Sequence, residues 1–99
     1  MSALKDQLRS DMTAAMKARD SIRTQTLRMV MTAVSNAEVA GKASRELADD
    51  DVVAILVSEH KKRKEAAEAF EQGNRPELAQ KERDEAAVIS EYLPEPLTD

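Results

Sequence analysis

Two apolar stripes at helical spacing, separated by the pair Gly73-Asn74, constrain the fold of this chain more than any other feature. At about 100° per residue, the residues of each stripe fall on one side of a helix. The first stripe contains Val52, Leu56, Ala67 and Phe70, and the second contains Leu78, Ala86, Ile89 and Leu93. Because glycine and asparagine commonly end helices, the pattern predicts two long helices that fold back on each other as an antiparallel hairpin.

Each stripe is interrupted near its centre by charge. Arg63 lies within the first stripe, and Glu82 and Glu85 lie on or near the second. Folding the chain back at Gly73-Asn74 brings Arg63 opposite residues near position 84. Because a buried charge needs a partner, we expect Arg63 to form a structural ion pair with Glu82 or Glu85.

Two further helices precede the hairpin. Apolar residues recur every three or four positions over about 3–18 and 22–40, with Ser2 as an N-cap for the first helix and Asp20 or Ser21 for the second. The second helix is apolar over more than half of its circumference, which predicts a central position. Gly41 is its expected C′ residue, and a loop over 42–47 should lead to an N-cap at Ala48 or Asp49.

The prediction is therefore an all-α fold of four helices, in which helices three and four form a long antiparallel hairpin. The third helix should end at Gln72 and the fourth should extend from Pro76 to Tyr92. Only two aromatic residues, two glycines and three prolines occur among 99 residues, which suits long packed helices better than a β-sandwich.

Several kinds of chemistry are disfavoured by the residue types. The absence of cysteine excludes disulfides, thiolate nucleophiles and cysteine-ligated zinc, and fits a reducing cytoplasm. His60 is the sole histidine, and we favour packing over catalysis for it. The run Asp49-Asp50-Asp51 resembles a metal-binding cluster, but acids in a first helical turn ordinarily complement the helix dipole. We predict no catalytic residue, no metal and no cofactor. No apolar run approaches the roughly 20 residues of a membrane span.

Basic residues suggest one surface that contacts RNA or a protein partner. The chain carries a net charge of −4, with +4 over residues 1–45 and −8 over residues 46–99. The candidate contacts, in the second helix, the third helix and the turn after it, are Arg28, Lys61, Lys62, Lys64 and Arg75. Acidic neighbours in the third helix weaken this interpretation, and a simple solvated face is the commoner explanation for such a charge run.

A series of short motifs runs along nearly the whole chain. These motifs are Asp11 with Ala15-Met16-Lys17, Leu27-Arg28-Met29, Lys62-Arg63-Lys64-Glu65 with Phe70, Gly73-Asn74-Arg75-Pro76-Glu77-Leu78-Ala79, Glu82, Glu85, and Tyr92-Leu93-Pro94 with Leu97. Their order and spacing resemble the GatB/YqeY family. Ala48 departs from the family pattern, which favours Ser or Thr as the helix cap at this position. The resemblance covers nearly the whole chain.

The resemblance implies a relation to the tail region of the B subunit of aspartyl/glutamyl-tRNA amidotransferase. That enzyme is a carbon–nitrogen ligase with glutamine as amido donor, and its tail helps to hold tRNA. By this resemblance, residues 1–94 are an N-terminal helical domain and residues 95–99 begin a linker to a tail domain. Leu97-Thr98-Asp99 has the form of a helix start, so we expect the natural protein to continue past Asp99.

The resemblance also sets the functional expectation. It implies a cytoplasmic accessory module associated with tRNA, or with an amidotransferase or another translation-related protein, without catalysis of its own. The missing tail domain would be an intramolecular partner. A protein–protein adaptor without RNA binding is the alternative.

Overall fold

The described residues, 2–40 and 46–94, form four α-helices and no strand in a computed structural model. In chain order they are α1 (Ala3–Lys17), α2 (Ser21–Val39), α3 (Asp49–Gln72) and α4 (Pro76–Ser90). The most extensive packing between helices joins α3 to α4. The predicted all-α fold and its α3–α4 hairpin are therefore confirmed.

Two similar turns reverse the chain. At the end of α3, the N–H of Asn74 donates to the carbonyl of Glu71 and the N–H of Arg75 donates to the carbonyl of Phe70. This is the Schellman arrangement, and Asn74 takes the left-handed conformation with φ 59°, while Gly73 has φ −83°. Arg19, with φ 60°, holds the equivalent position after α1.

The helix starts follow the predicted caps. The hydroxyl of Ser2 accepts a hydrogen bond from the N–H of Lys5, and the carboxylate of Asp20 accepts one from the N–H of Arg23. Ala48 is the N-cap of α3, where the carboxylate of Asp51 accepts from the Ala48 N–H at 3.1 Å. This hydrogen bond is the one in a capping box that the residue at N3 accepts. It needs no hydroxyl at the N-cap, so α3 starts at Ala48 without Ser or Thr.

Some predicted helix and loop boundaries differ from the structure or lie outside the described residues. The structure ends α4 at Ser90, two residues before the predicted Tyr92. The N–H groups of Glu91, Tyr92 and Leu93 each donate to the carbonyl three residues earlier, which tightens the last turn. The expected C′ residue Gly41, most of the loop over 42–47 and the expected helix start at Thr98 lie outside the described residues.

The core lies where α2 meets the other three helices, as its broad apolar surface predicts. Leu27, Val30 and Val34 of α2 are buried. The other buried members of this core are Leu8, Leu47, Val52, Leu56, Val88 and Ile89. Leu47 and Val52 flank the start of α3 as a hydrophobic staple does.

The two apolar stripes of the hairpin are not buried along their whole length. Leu56 and Ile89 share the buried core, and Tyr92 packs against it. Phe70, however, is only half-buried, and Leu78 is 41% exposed. Neither residue belongs to the buried core.

Candidate functional site

An open groove with a volume of about 600 Å³ lies between α2, α3 and α4. Most of its lining residues are polar or charged, and each of the three helices contributes a cation. The lining residues are Gln25, Arg28, Met29, Thr32, Glu59, Lys62, Arg63, Lys81 and Glu85. Four cationic side chains therefore face two carboxylates. We refer to this feature as the polar groove.

The α2 wall of the polar groove follows from helical spacing. Gln25, Arg28 and Thr32 recur at intervals of three and four residues, which places them on one side of α2. Arg28 is exposed, and the hydroxyl of Thr32 donates to the Arg28 carbonyl at 3.0 Å. These three residues give this wall an amide, a guanidinium and a hydroxyl group.

Arg63 organises the floor of the polar groove. Its Nη2 donates to Oε1 of Glu59 at 3.3 Å, and its Nε lies 3.9 Å from Oε1 of Glu82. Its Nη1 lies 3.4 Å from the sulfur of Met29 on α2. The side chains of Arg63, Glu59 and Glu82 retain 17%, 10% and 16% of their exposure. One guanidinium thus links α3 to both α2 and α4.

Glu85 lies one helical turn after Glu82 and is buried, with 3% of its surface exposed. Burial, followed by a hydrogen bond with Glu82 and the negative charge of Glu82, raises the pKa of Glu85 to about 7. The positive charges of Lys81 and Arg63 oppose this rise.

The predicted contact residues do not all lie together. Arg28 and Lys62 line the polar groove, whereas Lys61, Lys64 and Arg75 do not. Lys62 and Lys64 are two residues apart on α3 and therefore point to different sides of the helix. Lys62 also donates to Oε2 of Glu59 at 3.2 Å. A contact role for the five cations stays a prediction, but the groove gathers only two of them.

Lys81 and Glu59 were not among the predicted site residues. Lys81 lies four residues before Glu85, so the two share a side of α4. That spacing is the signal that would have placed Lys81 beside the site. Glu59 likewise lies four residues before Arg63, so the two share a side of α3.

A second recess lies where α1, α2 and the end of α4 meet, between Asp11, Arg23, Glu91 and Tyr92. The hydroxyl of Tyr92 donates to Oδ2 of Asp11 at 2.6 Å. Both terminal nitrogens of Arg23 donate to the carboxylate of Glu91, at 3.3 and 2.7 Å. Burial and the bond to Asp11 raise the pKa of Tyr92 above its ordinary range. These paired groups join the first two helices to the end of the chain's last described helix.

The remaining candidates, His60 and Asp49, are packed or hydrogen-bonded within the fold. His60 is buried with 7% exposure, and burial lowers its pKa, with a smaller effect from the charge of Lys64. A carboxylate oxygen of Asp49 accepts hydrogen bonds from the hydroxyl of Ser2 and from the N–H of Leu4. Within residues 2–40 and 46–94, no group of three His, Cys, Asp or Glu side chains is arranged to hold a metal ion.

No helix in the described part of the chain combines the length and apolar character needed to cross a bilayer. Curated relatives include two proteins named "Altered inheritance of mitochondria protein 41, mitochondrial". The one from Lachancea thermotolerans is 33% identical over 88 residues, which cover 87% of this chain and 46% of the relative. The one from Meyerozyma guilliermondii is 33% identical over 86 residues, which cover 87% of this chain and 44% of the relative.

A third relative is an uncharacterised protein of Schizosaccharomyces pombe. It is 33% identical over 89 residues, which cover 89% of this chain and 70% of that protein. The chain thus spans a little under half the length of the two proteins named for mitochondrial inheritance. The family described as "Yqey-like protein" matches residues 5–99, nearly the whole sequence. This chain belongs to the YqeY-like protein family, as the order of its motifs indicates.

Proposed function

We propose that this chain is a non-catalytic accessory module that associates with tRNA through the polar groove. The supporting observation is the convergence of Arg28, Lys62 and Lys81, one from each of three helices, on one open groove. The proposed module is related to the tail of the B subunit of tRNA-dependent amidotransferase. That enzyme is a carbon–nitrogen ligase with glutamine as amido donor. The proposed partner is tRNA, or such an amidotransferase or another translation-related protein.

The charge pattern supports a local contact with the RNA backbone. The protein carries a net charge of −4, so long-range attraction to RNA is weak. A cluster of three cations at the mouth of a groove still suits two or three phosphates. Such contacts hold a nucleic acid in place without reading its sequence. The expected binding is therefore weak, tolerant of tRNA identity and sensitive to salt.

The chemistry of the chain supports a module without catalysis. There is no cysteine, and the sole histidine is buried in the packed side of α3. Glu59 and Glu82 are engaged with Arg63, as expected for groups that hold helices together. A structural role uses these carboxylates without requiring a nucleophile beside them.

The test measures binding of unfractionated tRNA by fluorescence anisotropy at low and moderate salt. We expect Lys81→Gln and Lys62→Gln each to weaken binding about three- to tenfold and to reduce the salt slope by about one. Lys61→Gln is the matched control, because Lys61 is exposed on α3 but does not line the groove. It should change the affinity less than about twofold.

The alternatives give different results. Equal losses of affinity in Lys61→Gln and Lys62→Gln would indicate that RNA binds the outer side of α3 rather than the groove. No tRNA binding even at low salt would contradict the proposal and favour a protein–protein adaptor. Glutamine-dependent amide formation on charged tRNA by this chain alone would contradict the absence of catalysis.

A further inference from the structure

Glu85 occupies an unusual position for a carboxyl group, because it is almost wholly buried and yet lines the polar groove. Most glutamates of small proteins are exposed to water unless they are paired. Glu85 projects from α4 toward the region shared by α2 and α3. Any anion in the groove would therefore approach this carboxyl directly.

The floor of the groove holds more carboxylates than buried cations. Arg63 has an ion pair with Glu59 at 3.3 Å and another with Glu82 at 3.9 Å. Its Nε is buried and has no hydrogen-bond partner among the described residues. Lys62 also pairs with Glu59, at 3.2 Å, so both cations are engaged with other carboxylates. A proton on Glu85 therefore relieves its repulsion by Glu82.

The surroundings of Glu85 include charged groups from all three helices that form the groove. They are Arg28 from α2, Glu59, Lys62 and Arg63 from α3, and Lys81 and Glu82 from α4. Of these, Glu82 has the strongest influence, since its hydrogen bond and charge add to the effect of burial and raise the pKa of Glu85 to about 7. Near neutral pH, Glu85 is therefore divided between its protonated and ionised forms.

We propose that an anion bound in the polar groove is taken up together with a proton on Glu85, so that the affinity of the groove for anions rises as the pH falls through neutrality. This inference rests on the proposed role of the groove as the phosphate-contacting surface. An anion repels ionised Glu85 but not protonated Glu85. Binding and protonation therefore favour each other reciprocally, with at most one proton taken up at this residue.

The first experiment uses a heparin-derived tetrasaccharide, because its sulfate groups stay ionised throughout the range tested. Its affinity is measured by calorimetry at pH 6 and pH 8 at one ionic strength. If the bound anion raises the pKa of Glu85 by about one unit, the affinity should be about fivefold higher at pH 6. Measurements in buffers of different ionisation enthalpy should detect proton uptake on binding near pH 7.

Three variants locate the effect. Glu85→Gln should bind with nearly equal affinity at both pH values, close to that of the wild-type protein at pH 6. Lys81→Gln should bind more weakly at both pH values, and Lys61→Gln should keep the full pH dependence. Circular dichroism at both pH values verifies that each variant is folded.

The inference would be overturned if Glu85→Gln kept the full pH dependence, or if the wild-type protein showed none. It would also be overturned if substitutions of Arg28, Lys62 and Lys81 did not weaken binding of the tetrasaccharide. Failure of the proposed tRNA binding can be distinguished from failure of this inference. If tRNA does not bind but the tetrasaccharide binds with the expected pH dependence, the tRNA proposal fails and the proton-linked anion site stands.

Discussion

Arg63 and Glu82 face each other across the α3–α4 hairpin, with Nε of Arg63 3.9 Å from Oε1 of Glu82. Both side chains are largely buried, at 17% and 16% exposure. The same guanidinium also binds Glu59. It therefore places one positive charge between two largely buried carboxylates.

Replacing Arg63 should destabilise the fold strongly. In Arg63→Ala, the carboxylates of Glu59 and Glu82 lose their shared partner while remaining poorly hydrated. We expect the free energy of unfolding to fall by about 2–4 kcal/mol, near the range for breaking a buried pair. Lys62→Ala is the matched control: its side chain is 60% exposed and should cost less than about 0.5 kcal/mol. Urea unfolding of the two variants measures the difference, and equal losses would refute a structural role for Arg63.

Glu85 should make stability depend on pH. Its pKa is about 7 in the folded protein against an ordinary value of 4.5, so the folded state holds the proton more tightly. The stability that the tighter proton binding contributes is fully present below about pH 4.5 and is lost as the pH rises through about 7. Glu85→Gln should therefore be more stable than the wild-type protein at pH 8, by about 1–3 kcal/mol, and the gain should vanish near pH 4.5. Urea unfolding at several pH values tests this; a constant difference would contradict it.

Tyr92 offers a spectroscopic probe, because it is the only tyrosine in the chain. Burial and its hydrogen bond to Asp11 should delay formation of the phenolate, which absorbs near 295 nm, beyond the ordinary tyrosine pKa of about 10. In Asp11→Asn, the pKa should fall toward that value because the charge and the strong acceptor are lost. Asp6→Asn on the same helix is the control. An unchanged absorbance titration in Asp11→Asn would show that the Asp11–Tyr92 contact is unimportant.

Core substitutions should rank by burial rather than by side-chain size. Leu56 is fully buried, Phe70 is half-buried and Val57 is 44% exposed. We expect Leu56→Ala to cost about 2–5 kcal/mol and Val57→Ala less than about 0.5 kcal/mol. Phe70→Ala should fall between them, below the roughly 3–5 kcal/mol of a fully buried ring. A larger loss for Phe70→Ala than for Leu56→Ala would place the centre of the core at the hairpin turn.

The turn after α1 contains a removable backbone strain. Arg19 adopts a positive φ of 60°, which is unfavourable for a residue with an unbranched cationic side chain. Arg19→Gly should raise the free energy of unfolding by about 0.5–1 kcal/mol. Asn74→Gly is the matched control and should gain less, because asparagine tolerates this conformation better. Thermal unfolding measures both, and a destabilised Arg19→Gly would show that the arginine side chain stabilises the turn.

Local sequence signals were sufficient to determine the helices of this protein and their caps. The periodicity of apolar residues specified four helices, and the caps at Ser2, Asp20 and Ala48 agree with the structure. These features depend on hydrogen bonds and side-chain spacing within one or two helical turns. The hairpin could also be inferred, because a short turn at Gly73-Asn74 leaves α3 and α4 little choice but to pack as antiparallel neighbours.

The polar groove was decided by the tertiary structure. It depends on the rotation of α2 against the hairpin, which sets Arg28 beside Lys62 and Lys81 while Lys61 and Lys64 lie elsewhere. The contact between Tyr92 and Asp11 joins residues 81 positions apart, which no local pattern encodes. The burial of Glu85 likewise depends on what α2 and α3 place over it, and burial is the largest cause of its raised pKa. Helical spacing orders residues around one helix, but only packing between helices decides which charges meet and which lose water.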